Sequence, residues 1–473
     1  MSAAERPLSP PRDAAWLGSA EVTAVLLGLL GQVVLTRALI ASAYGRWVLL
    51  LDLFLAAYLV VDAGLPTVIA RDGPRFRAAL PRMVGRAWRV QVVLALVASM
   101  VAVPLALRAH GDVAVLVVLA STVALLHIAT YAPRSALRAH GEARFEAWSK
   151  VVERLVMTGG YTLLFALGQR EVLPYALVLT AGAGLGLLTS VVLLRRCVAH
   201  EVEAHLPEAW SSGVRPLFLT AAPFAVTAAF APLTMRLEKF ILAGLEGHEA
   251  VALLHVAQLA LLAGLVVPAS VRAALLPAFG ERRDDPAGLR NEVARAEGWM
   301  APLIPFGLLA GAATVDVLVP LAFPSAYSDG SLGEDARRLF VLMLPGWGAA
   351  MLAAPALGAV QAGPKPWRYA AHAAFGIVVT LAVGLVLIPR LGVSGAALTT
   401  SLTAVAMALG ALVLRPDPHG TCWTAWVLGL LSILVVPTAW MSSSRSAVGL
   451  TLPLVLAALW LARSNGANDA RKV

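Results

Sequence analysis

The residues best placed to do chemistry are charges set within long apolar runs. The cations are Arg37, Arg154, Arg236, Lys239 and Arg272, and the carboxylates are Glu21, Asp52, Asp62, Glu153, Glu238 and Asp316. A charge in hydrocarbon is costly, so it normally faces a partner or a water-filled cavity. The five cations would give such a cavity a positive potential and hold an anion. Glu21, Asp62, Glu153, Glu238 and Asp316 would instead suit binding and release of a coupling ion. A structural reading stands beside both, in which a charge near a span end, Arg37 among them, extends its head to the interface.

One segment concentrates these features. Arg236 and Lys239 are three residues apart and share a helix face, with Glu238 alongside. Two cations on one face suit an anion. Pro223 and Pro232 lie in the same apolar run, where each removes a backbone hydrogen bond and permits a bend, or simply sets a static helix shape. Arg272 follows Pro268 in the next run and would face the same cavity from nearer the cytoplasm.

Other chemistries lack their residues. The sequence contains no Gly-rich phosphate loop, metal-ligand cluster or nucleophile elbow. His127, His255 and His372 occur singly within apolar runs, where a packed histidine is the plainer reading and a proton relay the sharper one. Glu201, His205 and Glu208 are spaced for a solvated helical face rather than for a metal. Cys197 and Cys422 fall at expected cytoplasmic span ends and read as reduced thiols. A membrane glycan polymerase or ligase needs a sizeable exterior loop with catalytic groups, whereas the longest one here carries only Asp329, Glu334 and Asp335. The chain therefore reads as a protein without catalytic residues, cofactor or metal.

The elements that must position these charges are membrane-spanning helices. Hydrophobic residues make up 59% of the chain and charged residues 14%, a balance that excludes an ordinary soluble domain. Apolar runs of spanning length lie near 14–41, 45–70, 84–108, 112–137, 148–168, 172–194, 215–243, 250–277, 299–323, 338–361, 367–388, 391–414, 422–440 and 446–463. The expected fold is thus an all-α integral membrane protein with about fourteen transmembrane helices. The expected organisation is a six-helix bundle over 1–200, a second over 201–415, and two added helices with a short tail over 416–473.

A net charge of +9 raises the possibility of a nucleic-acid partner, but no basic face on a soluble module and no stacking platform accompanies it. The cations sit between apolar runs instead. With the N-terminus inside, most of the 37 Lys and Arg fall on the cytoplasmic side, which orients both termini to the cytoplasm. The most basic stretch, Arg71, Arg75, Arg77, Arg82, Arg86 and Arg89, serves as a stop-transfer anchor or as an added attraction for anionic headgroups. The longest hydrophilic segment, Gly280 to Gly298, has the mixed charge of a short surface helix.

Four segments carry a resemblance. Arg37-Ala38-Leu39, then Tyr44-Gly45, then Asp62-Ala63-Gly64-Leu65 form the first; Arg134 to Glu142 the second; Leu237 to Gly247 the third; Ile388-Pro389 with Gly392-Val393-Ser394-Gly395-Ala396-Ala397 the fourth. Their order and spacing resemble the polysaccharide-biosynthesis flippases of the multidrug/oligosaccharidyl-lipid/polysaccharide exporter superfamily. Relatives often carry Gly-Pro where Ile40-Ala41 stands here.

The resemblance implies two six-helix bundles around a central cavity, alternating access, and an undecaprenyl-pyrophosphate-linked oligosaccharide as cargo in a bacterial inner membrane. Membrane lipids and other polysaccharide-assembly proteins would be its partners. The last two spans resemble the extra pair of the peptidoglycan-precursor flippases, which keeps a lipid-linked peptidoglycan precursor open as cargo. A cation-coupled multidrug antiporter of the same superfamily is the other alternative. A major-facilitator transporter fits less well, because the second-to-third loop lacks that family's acidic-then-basic signature.

Overall fold

The computed structural model describes residues 10–110, 113–199, 205–282, 285–363, 365–415 and 422–470. Among these every regular element is a helix, as a chain in hydrocarbon requires, since a helix pairs its backbone N–H and C=O groups internally. Among the described residues, ten helices are long and apolar enough to cross a membrane. Two of them, Val214–Glu281 and Pro366–Leu414, each turn at a glycine with a non-helical backbone, Gly247 (φ 85, ψ −167) and Gly392 (φ 57, ψ −133). The more charged helix Ala143–Ala166 and the shorter apolar stretch Ser444–Leu459 complete the expected set of about fourteen.

Compactness divides the chain into Met1–Arg236 and Leu237–Val473. In the first unit, Pro10–Ala38 packs on Ala143–Ala166, and Ala114–His140 packs on Val172–Val198. Leu65, Val68, Ile69, Leu80 and Met83 form a core with Ala132, Ala136, Leu137 and Trp210 at the end of the unit that carries the basic loop. The opposite face of helix Leu80–His110 exposes Leu96, Val97, Met100 and Val101, the pattern of a helix bathed in lipid.

The run expected as one helix over 45–70 is broken. Ala41–Ala57 stops at Tyr58, a single turn Leu59–Asp62 follows, and the chain resumes as Leu65–Asp72. Ala63 and Gly64 adopt left-handed backbone (φ 51 and φ 68), and the Gly64 N–H donates to Asp62 Oδ1 at 2.9 Å. Only a glycine fits at 64, because a Cβ there would meet the backbone of Ala221, Phe224 and Ala225.

In the second unit, Ala336–Ala362 is almost wholly buried and packs against Leu303–Ala322, Pro366–Leu414 and Trp423–Ser442. Small residues make this closeness possible: a Cβ at Gly348 would collide with Ile433, and one at Gly307 with the ring of Trp347. Trp347 donates from its indole to the Gly264 carbonyl at 2.9 Å, which satisfies the one polar atom it carries inside. The hydrophilic segment forms helix Pro286–Met300, capped by Asp285 accepting from the Gly288 N–H at 3.0 Å. Arg283 and Asp284 of that segment lie outside the described residues.

Candidate functional site

Each unit holds its own buried charges. In the first, Asp52 projects from Ala41–Ala57 and its Oδ1 accepts from Arg236 Nε at 3.0 Å. Arg236 is half-buried, and its Nη1 is buried without a hydrogen-bond acceptor among the described residues. A guanidinium presents its donors in a fixed fork, so the bond to Asp52 aims the remaining donor in a set direction. Asp62 spends one oxygen on the Gly64 turn. Near it, the fully buried Tyr58 joins two helices through hydroxyl contacts to Ser99 Oγ at 2.6 Å and Ser121 Oγ at 2.7 Å.

A second cluster centres on Glu153, 2% exposed. Its carboxylate accepts from Arg134 Nη2 at 2.7 Å and lies 3.0 Å from His127 Nε2, while Arg134 Nε donates to Ser149 Oγ at 2.9 Å. Gly186 on the neighbouring helix leaves room for this carboxylate, since a Cβ would press on it. One turn on, Arg138 forms a two-pronged pair with Glu146 (2.8 and 2.6 Å), and Lys150 bridges Glu146 and Glu21 at 3.4 and 3.1 Å. Glu21 is exposed and Arg154 half-buried. Arg37 is exposed, and its carbonyl accepts from Arg170 Nη1 at 2.9 Å, so its backbone ties down the turn at Gly168.

The second unit buries Glu238 and Lys239, 1% and 4% exposed. Glu238 Oε2 accepts from Thr400 Oγ1 at 2.7 Å and from Gln258 Nε2 at 3.1 Å, both neutral donors. Lys239 Nζ lies 3.0 Å from His255 Nδ1. Arg272 is half-buried and donates to the Tyr369 hydroxyl at 3.1 Å. His372 is buried with neither ring nitrogen paired among the described residues. Asp316 is exposed on Leu303–Ala322.

Sequence reading missed four participants. Arg134 belongs to a segment noticed only for its family pattern, yet it neutralises Glu153. Gln258 and Thr400 are the donors that hold Glu238, and their polar side chains within apolar runs are the signal that could have found them. Glu297 came from the hydrophilic segment. It is buried and accepts from Arg415 Nη1 (3.2 Å), Trp426 Nε1 (3.0 Å) and the Cys422 N–H (2.9 Å), which pins Pro286–Met300 to the last helices. Of the residues spaced for a solvated face, Glu201 lies outside the described set and His205 is exposed.

Outside the spans, the Asp329 carboxyl is held below the usual range, mainly by the N–H of Ser331, in an exposed turn beside Gly330 (φ 80). These arrangements hold buried charges inside helices, and Arg236 keeps one donor, Nη1, without an acceptor among the described residues. That suits reversible capture of a polar group in a membrane, and nothing in them resembles a nucleophile with its base.

A family model described as polysaccharide biosynthesis protein matches residues 11–282, more than half of the chain. The fold is similar to a solved structure of the lipid II flippase MurJ in an inward closed conformation, with 12% identity, 96% of this chain and 99% of that one covered, and a TM-score of 0.64. It is similar to a MATE transporter in a straight conformation, at 16% identity over 85% and 93% of the two chains with a TM-score of 0.59. It is similar also to the multidrug transporter DinF-BH in complex with R6G, at 16% identity over 88% and 97% with a TM-score of 0.60. No curated protein matches the sequence.

Proposed function

Since the chain belongs to the polysaccharide biosynthesis protein family and has the multi-pass fold of the MurJ and MATE transporters, we propose that it flips an undecaprenyl-pyrophosphate-linked oligosaccharide from the cytoplasmic to the exterior leaflet. The cargo would feed surface polysaccharide assembly, and other assembly proteins would receive it. The membrane is a bacterial inner membrane, and both termini are cytoplasmic, because the basic loops then fall inside.

The observation that carries this reading is Arg236, whose Nε is committed to Asp52 while Nη1 keeps an unspent donor. A pyrophosphate leaving water loses its hydration, and fixed cations in a cavity offset that loss without having to reorganise. Arg37, Arg154, Lys239 and Arg272 would add positive potential along its path. The prenyl tail stays in lipid throughout. Alternating access of the bundles over 1–200 and 201–415 would carry the headgroup across, with 416–473 outside the cycle.

Glu238 favours a second reading, cation-coupled multidrug antiport. A buried carboxylate held by the neutral Gln258 and Thr400 can exchange a bound cation, with Glu21, Asp62, Glu153 and Asp316 as further coupling candidates. A lipid-linked peptidoglycan precursor is a third cargo, suggested by the two helices Trp423–Ser442 and Ser444–Ala470.

Deletion followed by extraction of lipid-linked intermediates separates these. Accumulated undecaprenyl-linked oligosaccharide supports the proposal. A normal lipid profile with heightened dye or drug sensitivity supports antiport, and accumulated peptidoglycan precursor supports the third cargo.

A further inference from the structure

Helix Leu80–His110 carries Arg86 and Arg89 in its second and third turns, three residues apart on one face. Neither has an acidic partner among the described residues; Arg89 donates only to the Gly85 carbonyl one turn back, at 3.4 Å. Both line a cavity of about 520 Å³ whose walls are mostly apolar, Val93, Leu217 and Phe218 among them. Its size is that of a ligand pocket, on the order of 300–1,000 Å³. Val93 is 61% exposed, so the apolar wall runs on without a break into the lipid-facing surface of the helix.

Trp210 also lines this cavity. It is fully buried, and its indole nitrogen has no acceptor among the described residues. Trp88, on the same helix as the two arginines, donates its indole N–H to the Ala129 carbonyl at 2.9 Å, whereas Trp210 at the groove has no such acceptor. A buried N–H left unpaired costs free energy that a bound acceptor would recover.

We propose that this groove is a binding site for an anionic phospholipid of the surrounding membrane, its phosphate held by Arg86, Arg89 and the indole N–H of Trp210. Its acyl chains lie over Val93, Leu217 and Phe218 and pass into the bilayer. A soluble phosphate would leave the apolar wall uncovered, and a zwitterionic lipid would gain little from two unpaired guanidinium groups. Basic pockets between spans on the cytoplasmic side are suited to such headgroups. The assignment does not depend on which cargo the protein carries.

Native mass spectrometry of the delipidated full-length protein, titrated with phosphatidylglycerol or phosphatidylcholine, tests this. Phosphatidylglycerol should bind and phosphatidylcholine should bind at least tenfold more weakly. Arg86→Gln with Arg89→Gln should weaken phosphatidylglycerol about twenty-five-fold, each surface cation being worth about fivefold towards an anionic lipid. Trp210→Phe keeps the ring and removes the donor, and should weaken it about tenfold. Arg75→Gln with Arg77→Gln, on the same basic loop but outside the cavity, should change it less than twofold. Equal binding of the two lipids, unchanged affinity in either groove variant, or an equal loss in the loop variant overturns the site. Displacement of phosphatidylglycerol by undecaprenyl pyrophosphate also overturns it, by assigning the groove to cargo. An unchanged melting temperature of each variant without lipid secures the comparison.

Discussion

Glu238 and Gln258 are twenty residues apart in sequence and are joined by a hydrogen bond of 3.1 Å. One continuous helix would hold them roughly 30 Å apart, at about 1.5 Å per residue. The chain therefore folds back between them, and Gly247 (φ 85, ψ −167) is where it does so. Thr380 and Thr403, 3.2 Å apart at their hydroxyls, record the same event around Gly392.

The backbone at Gly247 lies in a region open essentially to glycine alone, and a Cβ there would meet open space. Gly247→Ala should thus destabilise through backbone strain, by about 1–3 kcal/mol. Gly244→Ala, at a helical position that also faces open space, should be neutral or slightly stabilising. Thermal unfolding in detergent measures both. Equal melting temperatures for the two variants would remove Gly247 as the pivot.

Glu153 and Arg134 form a buried ion pair at 2.7 Å, with His127 as the third member. Removing one partner strands the other, so Glu153→Gln should cost about 3–5 kcal/mol and lower the yield of folded protein. Arg134→Gln together with Glu153→Gln removes both charges and should regain a large part of that loss. A double variant less stable than the sum of the single ones would show that the pair is not the unit of stability here.

The helices were legible because hydrocarbon thickness sets the length of each apolar run, and the reversal near Gly392 was legible as the break between the runs 367–388 and 391–414. The break within 45–70 was not. Ala63, Gly64 and Leu65 continue an apolar pattern, and the turn arises from the Asp62 hydrogen bond and from the backbone of Ala221 to Ala225 against Gly64. The charges themselves stood out in the sequence, but their partners did not. Arg134 meets Glu153 across two neighbouring helices, and which way each helix is rotated depends on small residues such as Gly186, whose contacts exist only after packing. Glu297 looked solvated for the same reason, because Arg415 and Trp426 reach it from more than a hundred residues away.

The orientation makes a direct prediction. Asp329 occupies an exposed turn, so a cysteine there should react with an impermeant thiol reagent added outside intact spheroplasts of a variant lacking Cys197 and Cys422. Cysteines at Arg75 and Arg290 should react only after the membrane is opened. Labelling of either from outside would invert the assignment of the basic loops to the cytoplasm.

Arg236 and Lys239 carry the most exacting test of the proposed function. Arg236 holds Asp52 with one nitrogen and keeps Nη1 unspent, and Lys239 lies against His255. Replacing both with Gln removes positive charge without adding bulk, so surface-glycan export should fall by tenfold or more while protein abundance stays at the wild-type level. Arg236→Lys keeps the charge but loses the fork, and should restore export only in part. If the two cations serve only to balance carboxylates, export should fall together with folding, and adding Asp52→Asn and Glu238→Gln should restore both. Wild-type export by the Arg236→Gln, Lys239→Gln protein at normal abundance would remove these residues from the path of the anionic headgroup.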